Sequence, residues 1–580
     1  MSSEGLDLVL AEIIRNRLVA TTQEMAKTLI RTAFNPLLYE VQDFGVVILS
    51  AEGDMWAETP GVMVFSQGFP EAVRAGIHRW KGAFAEGDVL AVNDPFETGT
   101  HISDTNIYMP VFFEGSLVAF AGVAAHWADI GGYHPGGWSP DTTEMYQEGI
   151  CFRHQKLVSA GLKNQDLWDF IADNVRVPRV VLGDLEAQIA ACRQGAERLR
   201  SICAKYGVAM LRAAMAHIID QTDLAMRAAI SKLPAGQHRA MIQLDSDGVQ
   251  EKGDFRVFLS VTVQKDQIQL SLNGSSPAAR GPINLPAVGT RGILASALKG
   301  ILLPFDPCNA GHTRCLKVEI PEGSLVGPLR PAPTDSYGYL VGCLIELMFR
   351  CFAKIAPDRC PAGGYQLTGV GFYRGPSKAG EPFILLDPVH GGNGALRDAD
   401  GETNQLVGNG DLPNTPVEVT ETRSAVLIER LELNPKVAGV GKFRGGMGLI
   451  KQYRLLTSDV SVGFTTENTR DTTAAGVDGG ANGEPGRLIV NPEDANEIVV
   501  HNRASSLGPY AAATRIRVFS GGGGGWGAAH ERDPELVLAD VRNGFLGPSQ
   551  AEKLYSVAIS LKEGVWLVDS IRTSALRHMV

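Results

Sequence analysis

The stretch NDPFETGTHISDTNIYMPVFFEGSLVAFAGVAAHWADIGGYHPGG, residues 93–137, decides how the chain is read. Asn93-Asp94-Pro95 and Gly131-Gly132 mark turns, and the text between them is strand-like. His101 and Asp104 stand three apart, and so do His126 and Asp129. An apolar stretch from Pro110 to Ala125 links the two His-x-x-Asp units over a hairpin-length connection. Imidazole and carboxylate together suit zinc, manganese or iron, with positions left open for water. Glycines beside each pair let the backbone turn tightly and a substrate approach closely. One His-x-x-Asp alone is usually a surface ion pair or a capped turn. Two of them, framed by strand text and glycines, are as well explained by a metal site as by such pairs.

Upstream, Val9, Leu10, Ile13, Ile14 and Val19 recur near helical spacing, so residues 7–33 are predicted helical until Asn35-Pro36. Residues 44–50 and 54–58 flank Ala-Glu-Gly and read as a hairpin. Asp43-Phe44-Gly45 precedes the first of these strands. A kinase reading of that triplet fails, because no HRD loop or VAIK strand accompanies it. Asp43 is either a turn aspartate or a third carboxylate for the metal. Downstream, residues 181–232 are rich in Ala, Leu, Glu and Arg without proline, and predict a long helical hairpin broken at Gly207. Strands are expected within 239–273, a largely buried helix over 336–357, and short strands at 424–433, 448–456 and 513–519 among dense glycine. A short helix over 548–557 and a strand pair ending near 571 close the chain. The expected fold is α+β and multi-domain, with strand-rich N- and C-terminal parts and a central long helical segment. The composition shifts divide it as 1–180, 181–235, 236–365 and 366–580.

A length of 580 residues exceeds one ordinary core and suggests roughly two to four domains. The net charge of −11 argues against a nucleic-acid partner, which would want a basic face. No apolar run of about 18 residues occurs, so no transmembrane helix is expected. Glu4, Asp7, Glu12, Arg15 and Arg17 disfavour a signal peptide, and a cytoplasmic protein is expected. The eight cysteines form no CxxC and fit neither a zinc knuckle nor a disulfide scaffold. No P-loop occurs, since Gly439-Val440-Gly441-Lys442 runs into Phe443. The run Ser520–Gly525 with Trp526-Gly527 is either a flexible loop or a phosphate cradle. Five glycines are costly to order, so an ordered run implies close contact with a ligand or partner. Neither a Gly-x-Ser-x-Gly elbow nor an activated cysteine is visible, and nucleophilic catalysis by this chain is not expected.

Taken together, these motifs resemble the hydantoinase B/oxoprolinase family, which also contains the alpha subunits of acetone carboxylases. The resemblance runs through Arg31-Thr32-Ala33, Asp43-Phe44-Gly45, residues 93–104, residues 125–137 and YQEGI at 146–150. It continues through NGSSP at 273–277, DPCNAG at 306–311, PAP at 331–333 and FRGGMG at 443–448. SGGGGGWG at 520–527 and DVRNG at 540–544 complete it. Two departures are Thr98-Gly99, where relatives often have Gly-Gly, and Ser520, where proline is commoner.

The resemblance implies a divalent metal (zinc, manganese or iron) held by His101, Asp104 and His126, with Asp43 the extra carboxylate. It also implies a division of labour. A larger A-type partner, of the actin-like ATPase kind, uses ATP to phosphorylate the carbonyl oxygen of a small cyclic amide, such as a hydantoin, 5-oxoproline or a lactam. The B-type chain, in a heterotetramer of two A-type and two B-type chains, hydrolyses the activated species with water made acidic by the metal. Asp129 is then the expected general base or orienter of the site. His134 and Glu148 are expected to hold the substrate nitrogen, unless they are a loop histidine and a solvated carboxylate. Two rivals stand beside this: a component of an ATP-dependent ketone carboxylase, and a scaffold protein whose metal is structural.

Overall fold

Hairpin pairing organises the N-terminal half. The structure, a computed structural model, describes residues 7–250, 253–365, 369–405, 412–466, 474–501 and 504–579. Asp7 caps helix α1 (Leu8–Thr32), accepting the backbone N–H of Val9 and Leu10. Ala11, Ile14, Leu18, Met25 and Leu29 form its buried stripe. Asn35 caps the one-turn α2 (Pro36–Tyr39), and β1 (Phe44–Ser50) and β2 (Met55–Pro60) follow as the expected hairpin.

Helix α3 (Met63–Trp80), β3 (Val89–Val92), the one-turn α4 (Pro95–Thr98), β4 (Asp104–Phe113) and β5 (Ser116–His126) come next. Strands β6 (Arg153–Ser159) and β7 (Leu162–Lys163) complete an antiparallel sheet of order β2-β1-β5-β4-β3-β6-β7. Every residue of β1 is buried because both faces of the sheet are covered. Phe44, Val46 and Ile48 join one core with α1 and with the helices after the sheet. Val47 and Leu49 join the other core, with Phe65, Phe69 and Val73 of α3.

Helix α5 (Gln165–Asn174) leads into α6 (Pro178–Tyr206) and α7 (Val208–Ile230), which break at Gly207 as expected. They do not form a hairpin. The chain bends by 103° there, because a single linking residue cannot reverse two helices, which takes about two to five. Both helices pack on α1 instead. Among the described residues no single helix is long and apolar enough to cross a membrane.

Strands β8 (Gly236–Leu244), β9 (Phe255–Gln264), β10 (Gln267–Ser271) and β11 (Leu316–Glu319) form a second sheet of order β11-β10-β9-β8. Helix α8 (Ala287–Leu302) and the almost wholly buried α9 (Gly338–Phe352) join its apolar face to α3. Two further sheets, one holding Gly369–Pro376 and Val460–Thr465, the other Gly448–Leu455 and Arg515–Phe519, enclose a third core. The α+β class stands. Helices α3, α5, α8 and Ser570–Arg577 are not legible in the sequence. In α3 an internal Pro70 argues for a break, and burial of Phe65, Phe69 and Val73 overrides it.

The glycine run at 520–527 is neither a flexible loop nor a phosphate cradle. It is buried, and its backbone hydrogen-bonds to other glycine-rich segments of the same chain. The N–H groups of Gly523, Gly524 and Gly525 donate to Gly446 at 3.0 Å, Gly363 at 2.8 Å and Ala481 at 2.8 Å. Gly439 and Ala395 donate back to Gly523 and Gly524 at 2.8 and 2.9 Å. A Cβ on Gly523 would stand 1.8 Å from the Asn393 carbonyl oxygen. Backbone alone fills the space, so the close contact that glycine permits is with the chain itself.

Gly523→Ala is therefore expected to destabilise the protein by about 3 kcal/mol or more, because backbone rather than a movable side chain stands in the way. Gly300→Ala in α8, where a Cβ meets nothing within 4 Å, is expected to be neutral or to stabilise by up to ~1 kcal/mol. Denaturant midpoints compare the two, and equal midpoints would contradict the packing described.

Candidate metal centre

Strand register brings the first two ligand candidates together. Asp104 opens β4, His126 closes β5, and the two are direct cross-strand partners. The turn between the strands, Glu114-Gly115, has φ of 49° and 75°, the left-handed pair that a two-residue type I′ hairpin demands. His101 arrives from the other side. Asp94 caps α4, Gly99 ends it at φ 83°, and the chain then turns so that the Asp104 N–H donates to the His101 carbonyl at 3.1 Å. Gly99 has no room for a side chain, since a Cβ would meet the Gly289 backbone of α8 at 2.3 Å.

The result is a small triangle. His101 Nε2 lies 3.0 Å from Asp104 Oδ1 and 3.1 Å from His126 Nδ1, and His126 Nδ1 lies 3.1 Å from Asp104 Oδ1. All three residues are deeply buried, with exposures of 1%, 0% and 2%. Asp335 settles the proton on His101. Its backbone carbonyl at 3.0 Å and its Oδ1 at 3.2 Å both face Nδ1. Since both are acceptors, Nδ1 carries a hydrogen, which leaves Nε2 as the ring atom that faces the triangle. The Tyr337 hydroxyl donates to Asp104 Oδ2 at 3.0 Å, which leaves Oδ1 facing inward. Nitrogen and carboxylate oxygen at this separation share either a ring proton or a cation.

Burial alone would lower the His101 pKa. Asp104 and Asp335 more than reverse that and hold the imidazole well above its ordinary range. Burial would raise Asp104, yet the two histidines bring it down to about 2. His126 Nε2 is buried with no hydrogen-bond partner among the described residues. Two imidazoles and a carboxylate, enclosed and turned toward one point, fit a divalent cation of the zinc, manganese or iron kind.

The other sequence candidates sit around this triangle in different ways. Asp43 precedes β1, whose Phe44 pairs with Ala125, and its carbonyl accepts the His126 N–H at 3.3 Å. Its carboxyl is pushed up to about 6 by burial, with His126 opposing and Asp104 adding to the rise. It shares the triangle's charge but lies outside the compact group of three donors.

Asp129 has both oxygens engaged elsewhere. Oδ1 accepts from the Gly136 N–H at 3.0 Å and Arg176 Nη1 at 3.1 Å, and Oδ2 accepts the Arg176 N–H at 2.6 Å. It ties the 129–137 loop to the segment before α6. His134 faces Asp141 at 2.9 Å. Glu148 is not a solvated carboxylate: Oε1 accepts the N–H groups of Thr334 at 2.7 Å and Asp335 at 3.0 Å, so it holds the segment that presents Asp335. Burial and the Asp335 charge push its carboxyl up to about 8. Sequence reasoning misses Asp335, Tyr337 and Trp138, whose ring stands edge-on to His101 at 5.4 Å. Their only signal is position: Asp335 and Tyr337 stand two apart just before an apolar helix, and Trp138 directly follows Gly136-Gly137.

Comparison with known proteins covers nearly the whole chain. The family model described as hydantoinase B/oxoprolinase matches residues 7–529. The B component of a putative D-/L-hydantoinase from Pseudomonas sp. (strain NS671) is 31% identical over 99% of this chain and 98% of its own. The beta chain of caprolactamase from Pseudomonas jessenii is 29% identical over 99% of each. The crystal structure of the ATP-dependent caprolactamase from Pseudomonas jessenii superposes with a TM-score of 0.91 at 26% identity, covering 99% of this chain and 100% of that one. Nucleotide-free acetone carboxylase shares the fold, with a TM-score of 0.90 at 18% identity over 98% of this chain and 82% of that one.

Replacing His101 or His126 by Ala is expected to abolish stoichiometric divalent metal, measured by elemental analysis of the purified chain. Asp335→Asn should weaken metal affinity about 10- to 100-fold, because it disturbs only the partner of a ligand. Asp129→Asn should chiefly lower the melting temperature, since it breaks the Arg176 tie. Full metal content in both histidine variants would remove the triangle as a metal centre.

Proposed function

The chain belongs to the hydantoinase B/oxoprolinase family, and from that premise we propose that it is the hydrolytic component of a two-component, ATP-dependent cyclic amidase. The observation that supports this most is the buried triangle of His101, Asp104 and His126 within a family match that spans residues 7–529. The hydantoinase and caprolactamase relatives, each named as one component of its enzyme, are matched from end to end. A separate A-type chain is the natural partner, in a cytoplasmic complex of two copies of each.

An amide carbon is a poor electrophile because nitrogen donates into the carbonyl. In this scheme the partner transfers the γ-phosphoryl of ATP to the carbonyl oxygen. Water adds to the activated carbon, the ring carbon–nitrogen bond breaks with its electron pair going to nitrogen, and nitrogen takes a proton. A second water hydrolyses the acyl phosphate to carboxylate and inorganic phosphate.

Within this chain, His101, Asp104 and His126 would hold the cation. A divalent ion there supplies Lewis acidity and brings the pKa of water toward about 7. Asp335 keeps His101 in the ligating tautomer, Glu148 keeps Asp335 in place, and Tyr337 orients Asp104. Asp43, whose buried carboxyl is pushed up to about 6 beside the triangle, is the group placed to ligate or to take a proton from water. Asp129 serves by fixing the loop, not as the base, because both its oxygens are occupied.

The chain by itself is expected to show no ATP-dependent ring opening. Combined with its A-type partner and a panel of hydantoins, 5-oxoproline and lactams, it should yield ring-opened acid with ADP and phosphate, and bicarbonate should be unnecessary. Activity that appears only with bicarbonate, with its label in the product, would establish the carboxylase alternative instead.

A further inference from the structure

One buried cation remains unexplained by the metal centre. Arg374 lies on the strand Gly369–Pro376, more than two hundred residues from the triangle in sequence, and is only 4% exposed. Its Nη2 donates to the Gly137 carbonyl at 3.0 Å. Nε and Nη1 are buried and have no hydrogen-bond partner among the described residues. Burial pushes its pKa down to about 10, so it stays a cation at neutral pH. Asp335, Asp141 and Asp129 favour that charge from a distance, and Arg176 opposes it. A guanidinium taken out of water with open donors is strongly unfavourable unless an acceptor arrives.

Arg374 borders the triangle. Gly137, which it grips, sits against the metal-site wall: a Cβ on Gly137 would lie 2.4 Å from Ser103 Oγ and 3.7 Å from Asp335 Oδ1. The Ser103 hydroxyl, between His101 and Asp104 in sequence, is also buried without a partner among the described residues. Trp138 continues the same wall, its ring 5.4 Å from His101 and 6.2 Å from Phe372, two residues before Arg374. Gly137 has φ 70°, and any side chain there would fill the space that it leaves beside Ser103.

We propose that Arg374 and the Ser103 hydroxyl form the receptor for the phosphoryl group of the activated substrate, holding its oxygens beside His101, Asp104 and His126. A permanently charged guanidinium with several free N–H donors matches a tetrahedral dianion. The hydroxyl adds a donor from a second direction. A planar carboxylate would use fewer of these donors. The assignment rests on the two-component function proposed above, and it adds which residues meet the transferred group.

The test uses inorganic phosphate and the purified full chain. Phosphate should raise the melting temperature above that in chloride of equal ionic strength, and titration should yield an apparent Kd. Arg374→Gln should weaken that Kd about tenfold or more, as expected for loss of a charge-assisted contact. Ser103→Ala should weaken it about threefold to tenfold. Should Arg374→Gln fail to fold, Arg374→Lys, which keeps the charge and loses the fork, should still weaken phosphate several-fold. The proposal falls if wild type shows no phosphate-dependent rise, if acetate protects as strongly as phosphate, or if the Arg374 variants bind phosphate as wild type does. An arginine that is merely structural would lower the melting temperature in chloride and leave the phosphate increment intact, which would also overturn it. Failure of the underlying function would look different: no metal at the triangle and no ring opening by the complex.

Discussion

The register of one hairpin governs the site. Asp104 and His126 face each other across β4 and β5 because the pairing is offset by a bulge between Val111 and Phe112. Before the bulge Val111 pairs with Ala119, and after it Phe112 pairs with Leu117, so β5 carries one extra residue. Without that residue Asp104 would stand opposite Ala125. A slip of one residue also exchanges the faces of a strand, and here both faces are apolar cores. The burial of β4 and β5 and the placement of the ligand candidates are therefore one constraint. His101 depends on it in turn, since its carbonyl receives the Asp104 N–H.

Charge compensation explains the surroundings. Three polar side chains are enclosed together, and two of them, His101 and Asp104, are steadied from outside the hairpin. Asp335 and Tyr337 come from the segment before α9, and Glu148 secures that segment through the Thr334 and Asp335 N–H groups. Asp129 and Arg176 clamp the loop that follows β5. Such layered support is what keeps a site rigid enough for ligation. The C-terminal sheets contribute as well, because Phe372 and Arg374 press on Trp138 and Gly137. Those sheets are joined by the glycine array, in which backbone packs on backbone and the Tyr365 ring lies against Gly391 and Gly521.

Periodicity and composition by themselves determined the local elements: α1 over 7–33, the β1–β2 hairpin, the break at Gly207 and the buried helix before residue 357. The two His-x-x-Asp units framed by strand text marked His101, Asp104, His126 and Asp129 alike, and the family resemblance named the first three as ligand candidates. Such features are local, and local propensity is enough to express them. Only the tertiary structure decided the rest. Asp129 matches the motif as well as Asp104 does, yet its place beyond the end of β5 turns it to Arg176. Glu148 looks like a surface acid and is buried under four donors. Asp335 and Arg374 reach the site across separations of 234 and 237 residues, to His101 and Gly137. The glycine run reads as flexible because its partners are scattered segments of the same kind. The physical reason is common to all of these: a hydrogen-bond partner or a desolvated charge is defined by what the fold brings alongside, and the sequence near a residue does not contain it.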